Sequence, residues 1–203
     1  MFNLHTHCQN ENAIVNGYFD GFLGTNKWVS LGIHPWHVPV NWHNIILEFQ
    51  GYENLVAIGE CGLDKLTSTP WSLQKEVFIA QISLAIKIKK PLIIHCVRAY
   101  NECEYLLKSA NAIAVFHGFN RNKNILLQLL KYKDFYISLG AAVFKESFEE
   151  TVMVCPLNRM FLETDDAGIE IGKIYNKVGL IKGVTLEELK EQILLNRYKV
   201  FGL

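Results

Sequence analysis

Short apolar runs alternate along this chain with longer amphipathic stretches, and most of the runs stop at a residue able to bind a cation. FNLH, KWVSLGIH, NLVAIGE, PLIIH, IAVFH, FYISLG and MFLET read as seven strands, and AIVNGYF is a marginal eighth. Between them lie helical patterns in NWHNIILEFQ, YNECEYLLKSA, NKNILLQLLKYK, KESFEETVMV and IEIGKIYNKVGLIKG. The strongest is SLQKEVFIAQISLAIKIKK, whose Val77, Ile79, Ile82, Leu84, Ala85, Ile86 and Ile88 predict one broad apolar face. A last helix opens at Thr185 with Glu188 three residues later, a capping box, and runs to about Tyr198. PWHVP reads as a loop enforced by two prolines, and CGLD as a turn after its strand. The stretch QNENAIVNGYFDGFLGTNK shows no helical period, so an irregular segment is expected around residues 8–27. Strands separated by single helices pair in parallel through crossovers. The expected fold is therefore α/β, a distorted TIM-like barrel of seven or eight parallel strands with one helix missing near the N-terminus.

Composition is consistent with this and narrows the function. The chain has 203 residues and is 50% hydrophobic, enough for one sizeable core, so a single domain over 1–203 is expected. Lys plus Arg and Asp plus Glu both total 20. A neutral chain offers no global electrostatic case for nucleic acid, although a local basic rim is compatible with it. Five scattered cysteines without a CxxC pair argue against a disulfide framework and for a reducing cytoplasm. MFNLHTHCQN has neither a basic start nor a long apolar stretch, and no run reaches membrane-spanning length, so neither a signal peptide nor a membrane span is expected.

The chemistry lies at the strand ends. His5 and His7 are two apart, so on a strand both imidazoles point one way and can share a metal; the alternative is a polar tail. Glu60 closes VAIG, where a carboxylate is costly unless it is paired, binds a cation or caps a helix. Its two oxygens can bridge two metals, which an imidazole cannot do. His95 and His117 each close an apolar run, as ligands or as satisfied core histidines. In LETDD, Asp165 lies nearest the strand end, Glu163 points the same way one repeat deeper, and Asp166 is the substitute if the strand runs one residue longer. His34 joins the series by position, whereas His37 and His43 read as rim residues. Cys8, Cys61 and Cys96 each follow a proposed ligand, and alternation turns them away into packing.

Taken in order, HTH, SLGIHPW, AIGECGLD, SLQKEVFIAQISLA, PLIIHC with Arg98, FHGF, ISLG, LETD and the terminal NRYKVFG resemble the TatD-like deoxyribonuclease family of the amidohydrolase superfamily. The resemblance spans nearly the whole chain. It implies a TIM-like barrel with two divalent metals, one held by His5, His7, Glu60 and Asp165, the other by Glu60, His95 and His117. Nitrogen and oxygen donors suit Zn, Mn, Ni or Mg. It also implies a water-derived nucleophile held by Asp165, which takes its proton. Arg98 is a candidate phosphate clamp or a solvated first-turn residue, and His34 a second candidate for substrate binding.

Three departures stand out. The family's usual initial Asp is Asn3, the span from HTH to GIHPW is short, and LETDDAGIEIG lacks the proline-containing segment that usually follows the acid. The metal site is thus expected intact and the substrate site reduced. The expected function is metal-dependent phosphoester hydrolysis, with DNA or a small phosphoester as substrate and a monomer as the working form. The alternatives are hydrolysis of a small amide, lactone or ester, and a non-catalytic metal-binding barrel.

Overall fold

A computed structural model describes residues 1–8, 10–17 and 26–203. Among the described residues, eight strands form one sheet in sequential order, every neighbouring pair parallel. They are β1 (Asn3–Thr6), β2 (Ala13–Gly17), β3 (Val29–Leu31), β4 (Leu55–Asp64), β5 (Leu92–Val97), β6 (Ala114–Phe116), β7 (Phe135–Leu139) and β8 (Met160–Leu162). The two edges meet where Thr6 bridges Asp165, whose N–H donates to the His5 carbonyl at 3.0 Å. The α/β barrel expected from the sequence is the fold observed. Nearly every strand residue is buried, because helices cover the outside while side chains fill the inside. That two-sided burial is why the strands read as continuous apolar runs rather than alternating ones.

The outer helices are α1 (Trp42–Glu48), α2 (Trp71–Lys87), α3 (Tyr100–Ser109), α4 (Lys123–Leu130), α5 (Glu149–Val154), α6 (Ile171–Lys182) and α7 (Leu186–Phe201). Thr185 and Glu188 form both bonds of the predicted capping box, and α7 continues past Tyr198 to Phe201. The KESFEETVMV helix is shorter than its pattern: only Glu149–Val154 is α-helical, and two 3₁₀ turns, Ala141–Phe144 and Glu146–Phe148, precede it. The marginal AIVNGYF run is a genuine strand over Ala13–Gly17, β2, buried throughout. No helix separates β1 from β2 among the described residues. The segment expected to be irregular, 8–27, is thus regular over Ala13–Gly17, while Gln9 and 18–25 lie outside the described residues.

Two other expectations are corrected. CGLD is not a turn. It continues β4, with Cys61 through Asp64 paired to Ile94 through Val97, so β4 extends ten residues and carries Asp64 toward the barrel mouth. The inward face of α2 is also differently composed. Ile79 and Ile86 are exposed, while Gln74, Phe78 and Gln81 are buried. The two glutamines lie seven residues apart, two helical turns, and both serve as backbone clamps. Gln81 accepts from the Ile33 N–H at 2.7 Å and donates to the Ile33 carbonyl at 3.1 Å. Gln74 accepts from the Asp64 N–H at 2.9 Å and donates to the Thr69 carbonyl at 2.8 Å. Polar residues here satisfy buried backbone at the ends of β3 and β4, which apolar periodicity cannot register.

Gly32 lets this end of β3 lie against β4. A Cβ there would stand 2.7 Å from both the Glu60 carbonyl oxygen and the Gly59 carbonyl carbon. Backbone on both sides leaves no flexible atom to give way. Gly32→Ala is expected to cost about 1–3 kcal/mol, the range for overpacking. Chemical denaturation checks this, and an unchanged midpoint would show that the contact relaxes freely.

Candidate metal centre

Glu60 is the hub of the barrel mouth. Its Oε1 lies 2.7 Å from His117 Nε2, 2.9 Å from His95 Nδ1 and 3.2 Å from His34 Nε2. Its Oε2 lies 3.4 Å from His5 Nε2. Asp165 Oδ1 is 3.5 Å from His5 Nε2 and 3.3 Å from His7 Nε2. The sequence-predicted ligands His5, His7, Glu60, His95, His117 and Asp165 therefore converge, and His34 stands among them. Three donor groups result: His5, His7 and Asp165; His5, Glu60 and His117; His34, Glu60 and His95. Asp166 is exposed at the rim.

The supporting contacts explain why these side chains point inward. Asn16 Oδ1, on β2, accepts from the Glu60 N–H at 3.0 Å and the Ser30 hydroxyl at 3.3 Å. Asp64 Oδ1 accepts from the Leu66 N–H at 2.7 Å. Asp64 Oδ2 accepts from Trp36 Nε1–H at 2.6 Å and faces His95 Nε2 at 3.0 Å. The bonds from Trp36, His95 and the Leu66 amide overcome the upward push of burial and hold this carboxyl below its ordinary value. An ionised Asp64 only accepts, so the His95 Nε2 facing it is the donor, and this contact fixes the ring beside Glu60. Glu163, fully buried, accepts from the Gly118 N–H at 2.5 Å and lies 3.4 Å from His117 Nδ1, an orienting position beneath that ring. Asn3 does not copy the carboxylate it replaces. Its amide donates to Thr164 Oγ1 at 2.8 Å and its oxygen accepts from the Thr164 N–H at 3.0 Å, which ties β1 to the residues after β8.

The donor set fits divalent cations. Both ring nitrogens of His5 are buried without a hydrogen bond among the described residues. Donors about 2.1 Å from one tetrahedral ion lie about 3.4 Å from each other. The contacts of His5 and His7 with Glu60 and Asp165, at 3.3–3.5 Å, match that separation. Protons do part of the same work in the bare protein. Burial opposes ionisation of Glu60, yet the charge of His117 and contacts from His117, His34 and His5 hold its carboxyl well below the usual range. Burial likewise opposes a charged His117, but Glu60 and Glu163 push its pKa well above the ordinary 6.5. Burial pushes Asp165 up, and His7, His5 and His117 outweigh it and bring it down. Contact with Asp165 raises His7 against burial, while burial lowers His34 against Glu60.

These directions set a pH dependence. The raised His117 contributes stability that is full below about pH 6.5 and fades as pH rises through its elevated value. The depressed Glu60 contributes above about pH 4.5 and loses its share as pH falls through its lowered value. Thermal unfolding of chelator-treated protein is expected to give its highest midpoint in mildly acidic buffer. A cation held by His117 would displace the ring's proton, so with such a ligand metal affinity is expected to rise with pH and binding to release protons. Calorimetry in buffers of different ionisation enthalpy measures that release; buffer-independent heats would contradict it.

An open cleft of about 580 Å³ lies above this cluster and is bordered by Arg98, Tyr100, Asn120, Arg121 and Trp36. Arg98 is exposed and has a φ of 53°. Arg121, Trp36 and Asp64 escaped the sequence reading as site residues. Asp64 was hidden by the mistaken turn, and the other two by loops without periodicity. Cys61 is buried, and Cys96 packs against the core. Cys8 is exposed rather than packed, because β1 has already ended at Thr6. Among the described residues no helix is long and apolar enough to cross a membrane.

Comparison with known proteins agrees with this geometry. The chain is 38% identical over 150 residues to an uncharacterized metal-dependent hydrolase of Buchnera aphidicola subsp. Baizongia pistaciae, covering 69% of this chain and 56% of that one. It is 30% identical over 151 residues to the 3'-5' ssDNA/RNA exonuclease TatD of Shigella flexneri, covering 68% and 57%. The chain thus spans little more than half the length of these curated relatives. Its fold superposes on the crystal structure of YJJV, a TatD homolog from Escherichia coli, with a TM-score of 0.83 at 20% identity, covering 94% of this chain and 86% of that one. A TatD family hydrolase from Entamoeba histolytica gives 0.79 at 18% identity, covering 93% and 84%. The profile described as TatD related DNase matches residues 23–202, and the chain belongs to that family.

Proposed function

We propose that this chain is a metal-dependent phosphodiesterase acting on nucleic acid, working as one domain over 1–203 and as a monomer in a reducing cytoplasm. The observation that carries the reading is the set of three donor groups, the first two linked by His5 and the last two by Glu60, beneath a cleft bordered by Arg98 and Arg121. Two guanidinium groups favour a phosphodiester over an amide or lactone, because their planar donors match phosphate oxygens. The naming of the Shigella relative as an ssDNA/RNA exonuclease supports a nucleic-acid substrate. Five free cysteines suit a reducing compartment.

The site would take two ions: His5, His7, Glu60 and Asp165 would hold one, and Glu60, His95 and His117 the other. When bound, the ions supply Lewis acidity toward the phosphoryl oxygens and the attacking water, for which Zn, Mn, Ni and Mg are all suitable. Asp165 would accept the proton of that water on its carboxylate. Arg98 and His34 orient the phosphate from the cleft wall. Asp64 and Glu163 fix the rings of His95 and His117 so that no reorganisation is needed at the moment of reaction.

The test is chelator-stripped protein reloaded with each metal and assayed on single-stranded DNA, duplex DNA, a chromogenic phosphodiester, a lactone and an amide. Metal-restored cleavage of the phosphodiesters is expected. Cleavage of the lactone or amide alone would move the chain to the other hydrolase chemistry, and metal uptake without any turnover would make it a binding barrel.

A further inference from the structure

Four tryptophans occur in the chain, and they are not treated alike. Trp28 and Trp42 are buried, whereas Trp36 is 53% exposed at the edge of the metal cleft. Exposure of so large a ring usually goes with freedom to move, but here the ring is tethered. Its Nε1–H is bound to Asp64, which is only 2% exposed. Its backbone N–H donates to His34 Nδ1 at 3.1 Å, and its carbonyl accepts from the Thr69 hydroxyl at 3.4 Å. The ring lies nearly perpendicular to those of His34 and His95, with centroids 4.9 and 5.7 Å away.

Beside it is a second hollow of about 390 Å³, lined by Trp36, Asp64, Leu66, Thr67 and Val97. Trp36, Leu66 and Val97 also border the metal cleft, so the two spaces adjoin. The walls are mostly apolar. The Asp64 oxygens are already engaged by Leu66, Trp36 and His95. Such a hollow can hold a flat ring but has little left with which to read the ring's polar edge.

We propose that Trp36 is a nucleobase platform, stacking the base next to the phosphodiester under attack. This rests on the phosphodiesterase reading and adds what the substrate must present: an unpaired base of any identity. Base–aromatic stacking tolerates every base, because each has a π-face. A base inside a duplex must first be unstacked to reach such a platform, so single strands and frayed ends are preferred. The Asp64 carboxylate joins the platform to His95, which fixes the base relative to the metal ligands.

The experiment compares a short dye-labelled single-stranded oligonucleotide with the same oligonucleotide carrying abasic tetrahydrofuran units, bound to chelator-treated protein and followed by anisotropy. The readout is the ratio of the two affinities. Wild-type protein is expected to prefer the base-bearing strand by about fivefold to a hundredfold. Trp36→Leu should bring the ratio near one, while Trp36→Phe, which keeps a ring but loses the N–H, should retain most of it. A wild-type ratio near one, or a Trp36→Leu ratio equal to wild type, overturns the platform. Hydrolysis by metal-loaded wild type separates the levels. If both strands are cleaved without preference, only the platform falls; if neither is cleaved by any metal form, the phosphodiesterase reading falls and the platform with it.

Discussion

Asp165→Asn is expected to lower turnover on a phosphodiester by about a hundredfold or more at saturating metal, the usual scale for removing a general base. The side chain faces His5 and His7 through one oxygen and is about a third exposed to the cleft, so water can reach it. Asparagine keeps the shape but cannot take a proton. It also removes the charge that raises His7, whose pKa should fall toward its ordinary value. Titration of His7 by NMR in chelator-treated protein reads that change without any turnover. Asp166→Asn is the natural comparison, since that residue is exposed one position later. Turnover lost in Asp166→Asn and kept in Asp165→Asn would place the base at the wrong carboxylate.

The sequence brought out strand ends better than the supports behind them, for a physical reason. A ligand at the end of an apolar run is a polar residue where the pattern demands an apolar one, and that contrast is visible for Glu60, His95 and His117. Asp64 also ends a strand, but that strand was read as stopping at Glu60. Gly62 interrupts the apolar pattern there, and a Cβ at that position would lie 2.0 Å from the His95 carbonyl oxygen. A glycine required for close strand approach looks the same in sequence as one required for a turn. Gln74 and Gln81 were overlooked for the converse reason. They occupy buried helix positions where hydrophobicity is expected, and their value depends on backbone groups from β3 and β4. Asn3 shows the limit of reading one position alone. In sequence it is only a departure from the family's usual Asp, whereas in the fold its amide completes a two-way bond with Thr164, 161 residues away.

Glu60→Gln should have the largest effect of all on metal binding. Four imidazoles face this carboxylate within 3.4 Å, and it takes part in two of the three donor groups. Changes one contact removed from a metal commonly cost about 10- to 100-fold in affinity. Losing a charged donor shared between two groups is therefore expected to cost more than about a hundredfold, with turnover falling below detection at ordinary metal concentrations. The substitution is nearly isosteric, so the barrel should keep its shape, but the amide presents N–H donors toward ring nitrogens that need an acceptor or a cation. In the metal-free protein, His117 loses the main charge that raises its pKa and should titrate closer to its ordinary value. The mildly acidic stability maximum should flatten with it, because the same interaction supplies both sides of that maximum. Calorimetric metal titration, NMR of the His117 ring and thermal unfolding across pH read these three consequences separately. If Glu60→Gln binds two ions with near wild-type affinity, the carboxylate is not the shared donor.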